Sequence, residues 1–380
     1  MNLGLYIHIP FCRQKCYYCD FPSYAGLENE YEAYTAALCR EISGQGGSFT
    51  GQVVDSIYLG GGTPTVLATA QIVKIMQTVY THFTVAGNAE ISIEANPGTV
   101  DRLKLQALRD SGINRLSVGV QSFNDRLLHS IGRIHTAEEA VRAVEWAKQA
   151  GFTNFNIDLM YGLPGQSLAD AALSIEQAAV LGSTHISAYG LKVEEGTPLV
   201  RLLKANRLEL PDEAEEEQMY ELTVRHLPDL GYQRYEISNF SRPGAECRHN
   251  LKYWRFQPYI GLGAAAHSFF AAERYANVAD VRQYIDSQER GESAVGYREK
   301  TSRADAMAEY IFLALRTVRG LIVADFNQYF QTDFFACYHL VVKQLLRQKL
   351  IVLSDKTVRL TVRGMKYGNV AFRAFLPDKV

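Results

Sequence analysis

The chain has 380 residues, 47% of them hydrophobic and 21% charged, and a formal net charge of −2. These are the proportions of an ordinary globular protein with room for two or three domains, and no apolar run approaches the ~20 residues of a membrane span. The charge is unevenly placed: residues 301–380 carry 12 Lys and Arg against 6 Asp and Glu, a balance of +6, whereas residues 1–300 carry 27 against 35, a balance of −8. Met1 leads almost at once into a strand-like run without a basic n-region, so no signal peptide is expected. Six cysteines, three of them clustered, fit a reducing compartment, and the cytoplasm is the expected location.

The first strand-like run, Leu5–Pro10, opens onto Cys12, Cys16 and Cys19, spaced C-x3-C-x2-C, with Asp20 and Phe21 following. Three thiolates on one tight loop can each bind a different iron of a cubane [4Fe–4S] cluster, which leaves one iron with an open coordination site. A disulfide would use only two of the three, and a zinc site would ordinarily want a second C-x2-C knuckle, which the sequence lacks. Cys39, Cys247 and Cys337 lie far from this loop in sequence and are not expected to bind the cluster.

From there to about residue 200 one phrase repeats: a β-rich run, a polar residue at its end, then a helical stretch. The strand-like runs are Leu5–Pro10, Val53–Leu59, Ala89–Glu94, Arg115–Val120, Asn154–Met160 and His185–Leu191. Helical spacing occupies Tyr31–Ile42, Ala70–His82, Thr99–Ser111, Thr136–Gln149 and Ser167–Leu181. Such alternation predicts parallel βαβ units, and six are too few to close an eightfold barrel. The expected fold class is therefore α/β, a partial (βα)6 TIM-like barrel over residues 1–208. In such sheets chemistry gathers at the C-terminal strand ends. There the sequence places Gly60-Gly61-Gly62-Thr63-Pro64, Glu94, Gln121 with Arg133 beyond it, and Asp158 ahead of Tyr161-Gly-Leu-Pro164. The missing side chain of Gly62 would let backbone groups approach a ligand.

The cysteine spacing, with the aromatic Tyr18 before the third cysteine, resembles the radical S-adenosylmethionine (SAM) superfamily. Together with the GGGTP loop it is similar to the coproporphyrinogen oxidase-like branch, and the resemblance runs through the whole chain. It implies that Cys12, Cys16 and Cys19 hold a [4Fe–4S] cluster and that SAM chelates the open iron and is cleaved to a 5′-deoxyadenosyl radical. Gly61, Gly62 and Thr63 match the segment that binds the SAM amino group. Tyr6 and Tyr18 match the tyrosines of the cysteine motif, and Glu94, Gln121, Arg133 and Asp158 match polar SAM contacts. A carboxylate suits ribose hydroxyls, and a guanidinium suits the SAM carboxylate.

Past Glu195-Gly-Thr-Pro198 the pattern changes. Pro211–Glu217 reads as the acidic start of a helix reaching about Leu227, and Tyr235–Asn239 as a short strand followed by a loop. That loop holds Cys247-Arg-His249-Asn250-Leu-Lys-Tyr253-Trp254. By chemistry His249 is either a haem axial ligand lined by Tyr253 and Trp254 or a structural histidine packed beneath those aromatics, with Cys247 as a competing ligand. The H-N-x-x-Y-W pattern resembles the haem-binding signature of HemW-type haem chaperones, which puts His249 among the expected cofactor residues. Residues 209–300 thus read as a connecting, haem-signature region. Residues 301–380 read as a smaller C-terminal α+β, winged-helix-like domain, with helices over Arg303–Val318, Ala324–Phe330 and Phe335–Gln348. A hairpin over Leu350–Val362 follows, turning at Ser354-Asp-Lys356. No Arg-rich recognition helix stands out, so no nucleic acid is expected. The basic balance, with Arg359 and Arg363 expected on one strand face, offers a surface for anionic lipid or an acidic partner.

Two functions compete: an oxygen-independent coproporphyrinogen III oxidase that turns propionates into vinyls, and a chaperone that holds haem and passes it on. The oxidases carry a further cysteine two residues after the third, where this sequence has Phe21, and an N-terminal extension ahead of the motif. With the His249 pattern, these differences favour the chaperone; no catalytic residue is assigned. The resemblance implies haem, a [4Fe–4S] cluster and SAM as cofactors and a membrane-associated respiratory haem protein as acceptor. Peripheral contact with the inner face of the membrane and a homodimer are compatible with it.

Overall fold

The computed structural model describes residues 2–377. Six strands, β1 (Leu3–Ile9), β2 (Val53–Gly61), β3 (Thr84–Ala95), β4 (Arg115–Gln121), β5 (Asn154–Tyr161) and β6 (His185–Gly190), pair in chain order and all in parallel. Helices α1 (Tyr31–Gly46), α2 (Thr69–His82), α3 (Arg102–Asp110), α4 (Asp125–Ser130), α5 (Ala137–Gln149) and α6 (Leu168–Val180) return the chain between them. Their starts are written locally. Asp101, Thr136 and Ser167 each accept a backbone N–H from the first turn, satisfying a donor the helix cannot, and Glu139 and Asp170 return the bond as capping boxes.

Strand alternation divides the sheet into two unlike faces. Leu3, Leu5, Ile7 and Ile9 join Leu38, Ile72 and Met76 of the helices in one apolar core. Tyr6 and His8 point the other way, and register carries that polar face across the sheet: Tyr58 beside Ser92, Glu94 beside Ser117, Gly119 beside Asp158, Asp158 beside Ser187.

The sheet stays open, and later residues extend both of its edges. α7 (Pro198–Lys204) and α8 (Glu213–Asp229) lead to β7 (Gln233–Arg234) and β8 (Asn239–Ser241), the latter antiparallel to β6. After α9 (Arg248–Trp254), β9 (Tyr259–Leu262) pairs in parallel with β1. Antiparallel β10 (His267–Phe270), β11 (Glu273–Asn277) and, beyond α10 (Val281–Glu289), β12 (Val295–Lys300) complete a mixed sheet of twelve strands. Two expectations change here. Tyr235–Ser238 form a reversal rather than a strand, because the Glu236 carboxylate gathers Ser238 N (2.8 Å) and Asn239 Nδ2 (2.6 Å). The stretch expected as a loop is helix α9, seated on β1 where Gly4 leaves room: a Cβ there would lie 2.9 Å from Lys252 Cδ.

The C-terminal α+β unit comprises α11 (Arg303–Leu315), β13 (Leu321–Ile322), α12 (Val323–Phe330), α13 (Phe334–Arg347), β14 (Ile351–Ser354), β15 (Thr357–Leu360), α14 (Val362–Lys366) and α15 (Gly368–Arg373). Its antiparallel sheet, ordered β13-β15-β14, covers a separate apolar core around Phe326, Phe334 and Leu345. Asp355 and Lys356 turn the hairpin at φ 48° and 61°, the left-handed pair that a tight two-residue turn requires. Arg363 does not share a strand face with Arg359: it lies in the first turn of α14, because Thr361 caps that helix through Gly364 N. Among the described residues no helix is long and apolar enough to cross a membrane.

Candidate functional site

The polar face of the parallel strands and the loops at their C-terminal ends enclose a cavity of ≈ 420 Å³. Cys12, Cys16, Tyr18, Cys19, Gly61, Gly62, Thr63, Glu94, Gln121, Arg133 and Asp158 all line it; Tyr6 and His249 do not. Phe21 stands at its mouth, 64% exposed.

The cysteine loop is clamped before it reaches the cavity. Cys12 N donates to Tyr24 O (2.9 Å) and Tyr24 N to Pro10 O (2.8 Å), while Gly62 N and Thr63 N donate to Ile9 O (2.9 Å) and Phe11 O (2.7 Å). A Cβ on Gly62 would sit 2.5 Å from Phe11 O. The glycine therefore serves backbone packing against the cysteine loop, a requirement the expectation of ligand approach did not include. Tyr6 acts one step back from the cavity: its hydroxyl meets His8 Nδ1 (2.9 Å), whose Nε2 meets Pro22 O (2.9 Å) at the far end of the loop. The three thiols point to different partners, Cys12 to Thr63 Oγ1 (3.6 Å), Cys16 to Arg133 Nη1 (3.4 Å) and Cys19 to Ser23 Oγ (3.9 Å).

Two carboxylates face this space from β3 and β5, the strands on either side of β4. Glu94 accepts from Tyr58 OH (2.9 Å) and Gly61 N (3.2 Å). Burial, opposed by the Tyr58 bond and reinforced by Asp158, pushes its carboxyl up to about 7. Asp158 is held by Asn156 Nδ2 (2.7 Å) and Ser117 Oγ (3.1 Å), and burial raises it as well. Arg133 gives Nη1 to Cys16 and Nη2 to Gly119 O, leaving a buried Nε without a partner among the described residues. Gln121 ends β4 at φ 69°, a strained conformation at a strand end where the register with β5 also shifts.

His249 lies apart from this set. It is fully buried, with Nδ1 against Ser56 Oγ (3.0 Å) and Nε2 against Tyr253 OH (2.8 Å), and burial with Lys252 nearby pulls it down to about 3. Both ring nitrogens are engaged in this conformation. Cys247 does reach the cavity, but burial beside Glu90, 3.5 Å away, pushes its thiol up to about 12, which makes it a poor thiolate ligand. The sequence reading missed Asn156 and His185 in the cavity wall: Tyr235 OH, behind the wall, bonds His185 Nε2 (2.8 Å), and His185 Nδ1 bonds Asn156 Oδ1 (2.7 Å), which in turn steadies Asp158. The signal was there: Asn156 and His185 share the strand parity of Asp158 and Ser187.

The radical SAM superfamily model matches residues 6–178, and the HemN C-terminal domain model matches residues 301–366. The heme chaperone HemW of Bacillus subtilis is 38% identical over 98% of this chain and 99% of its own length, and that of Lactococcus lactis 36% identical over 99% and 97%. The chain belongs to the HemW family. In structure it is similar to coproporphyrinogen III oxidase (HemN) of Escherichia coli, a radical SAM enzyme, at TM-score 0.87 and 26% identity over 98% of this chain and 90% of that one.

Membership of the HemW family, within the radical SAM superfamily, implies a [4Fe–4S] cluster and SAM, and the cavity fits both. Among the described residues no three His, Cys, Asp or Glu side chains are set to hold a single metal ion. Thiols spread around a wall suit a polynuclear cluster that takes one at each of three irons. A ligand carrying an ammonium, a carboxylate and ribose hydroxyls suits what the rest of the wall offers: two half-buried carboxylates, and a guanidinium whose Nε has no partner among the described residues.

Proposed function

We propose that this chain binds haem and hands it to a haem protein, from a radical SAM scaffold that carries a [4Fe–4S] cluster and SAM. The observation that carries this reading is identity over essentially the whole chain with relatives named heme chaperone HemW. Phe21 in place of the oxidases' further cysteine speaks against coproporphyrinogen oxidation.

In this reading Cys12, Cys16 and Cys19 hold the cluster. Gly61, Gly62 and Thr63, at and just past the end of β2, meet the SAM amino group, and Arg133 takes the SAM carboxylate through the Nε that has no partner among the described residues. Glu94, Gln121 and Asp158 serve the remaining polar groups of SAM, while Tyr18 closes the wall beside Cys16 and Tyr6 steadies the loop through His8. When bound, the cluster and SAM together supply one-electron chemistry. His249 is the axial ligand to test first for haem. Coordination at Nε2 must displace the Tyr253 hydroxyl, and because His249 is fully buried, haem loading would also require α9 to shift. The acceptor in this reading is a respiratory haem protein at the cytoplasmic face of the membrane, approached through the basic C-terminal unit.

The test is to offer the anaerobically reconstituted protein haem and coproporphyrinogen III in parallel. A Soret band, followed by haem gained by the cytochromes of added membranes, is the expected result. Decarboxylation of the porphyrinogen, or retention of all haem, would overturn the proposal.

A further inference from the structure

A second cavity, ≈ 460 Å³, lies between α9 and the C-terminal unit. Helix α9 borders both cavities: Cys247 and Asn250 reach the first, while Leu251, Trp254 and Arg255 reach the second. Three features of this second space are unexplained by packing alone. The Trp254 indole Nε1 is buried and, among the described residues, has no hydrogen-bond partner. Such a donor is costly to leave unmade unless something else accepts it. Arg316 stacks its guanidinium 4.4 Å over the same indole, and its Nε is likewise buried and unpartnered. At the rim, Arg255 and Arg319 face the same opening, and neither makes an ion pair or a side-chain hydrogen bond among the described residues. They stand close enough that, with partial burial, Arg319 pulls Arg255 below its ordinary value, against an opposing influence from Glu246. Glu246 and Asp325 share the rim but pair with neither arginine.

Two guanidinium groups without an ion pair at one opening, over an aromatic and apolar wall that includes Tyr310 and Ile322, describe the complement of a flat apolar body with carboxylates along one edge. We infer that this cavity receives the carboxylate-bearing edge of a tetrapyrrole, with Arg255 and Arg319 taking its propionates and Trp254 forming the wall beneath the ring. The inference rests on the haem reading above and deepens it by placing the recognition of the propionates on the C-terminal side of α9. It also gives the C-terminal unit a part in holding the cargo, since Arg319 and Tyr310 come from that unit and Arg255 and Trp254 from the end of α9.

The test compares haem with its dimethyl ester, which keeps the macrocycle and the iron but loses both carboxylates. Soret titrations would use the full-length, cluster-loaded wild type and the double variant Arg255→Ala/Arg319→Ala. The two arginines are exposed, so cluster absorbance should be unchanged in the variant. Wild type should prefer haem to the ester by about tenfold or more, and the double variant should lose about tenfold in haem affinity together with that preference. Trp254→Phe, which keeps the ring but not the N–H, should bind haem more weakly while retaining the preference. Equal binding of haem and ester by wild type, or unchanged haem affinity in the double variant, would overturn the arginine site. Failure of wild type to bind haem at all would overturn the haem reading itself.

Discussion

At the residue scale, Glu94 and Gly62 show how much of the site is conditioned by what lies behind it. Glu94 has its carboxyl raised to about 7 from an ordinary 4.5, first by burial. The folded protein therefore holds this proton more tightly than the unfolded chain. The resulting stabilisation is complete below about pH 4.5 and is lost as pH rises through about 7. Glu94→Gln should flatten that fall, raising the stability of the SAM-free protein at pH 8 relative to wild type by about 1–3 kcal/mol, read from thermal melts between pH 5 and 8. The same variant should bind SAM more weakly, so stability and ligand affinity should move in opposite directions. Gly62→Ala presses on the Phe11 carbonyl, one residue before Cys12, and should cost the cluster as well as SAM. Iron content and absorbance after anaerobic reconstitution report this. A variant that keeps its cluster and loses only SAM would show that ligand approach, not loop packing, selects the glycine.

At the scale of elements, α9 is the piece on which the two cavities and the main sheet converge. Lys252 on its underside pairs with Asp55 at 2.6 Å, the two side chains only 5% and 17% exposed. Removing one partner of a buried pair strands the other charge. Lys252→Met should therefore cost about 3 kcal/mol, measured as a shift in the urea midpoint. His249 ties the same helix to β2 through Ser56. His249→Ala should lower the melting temperature of the haem-free protein, by the equivalent of about 2–4 kcal/mol, because it opens a void and leaves Ser56 and Tyr253 without their partner. A histidine that served only as an iron ligand would leave the haem-free melt unchanged. The loss of haem affinity in this variant has to be judged against that structural cost.

At the scale of the whole molecule, the two larger apolar cores of the described residues lie one under the twelve-stranded sheet and one within residues 307–375. Contacts between them are largely polar or aromatic: Arg274 with Glu309, Arg316 with Glu236 (3.7 Å), a β-bridge from Glu236 to Thr317, and Phe256 against Tyr310. Separate cores joined this way should unfold in two calorimetric steps. Arg274→Ala should lower the step belonging to the C-terminal unit by about 2–4 °C and leave the other in place. A single step shifting as one would show that the aromatic contacts fuse the two cores.

The sequence by itself determined the six parallel units and most of the cysteine pocket, because both depend on local rules. Alternation fixes which side chain of a strand faces inward, caps fix where a helix begins, and a parallel sheet gathers its strand ends on one rim. Glu94, Gln121 and Asp158 were legible for that reason. Tertiary structure alone decided the strands that flank the barrel, the helical form of the H-N-x-x-Y-W segment and the buried state of His249. Those outcomes depend on contacts between residues far apart in the chain: Ser56 with His249 at a separation of 193 residues, and Glu90 with Cys247 at 157. No local pattern encodes a hydrogen bond at that distance, and a histidine reads the same in sequence whether its nitrogens await a metal or are already satisfied by a serine and a tyrosine.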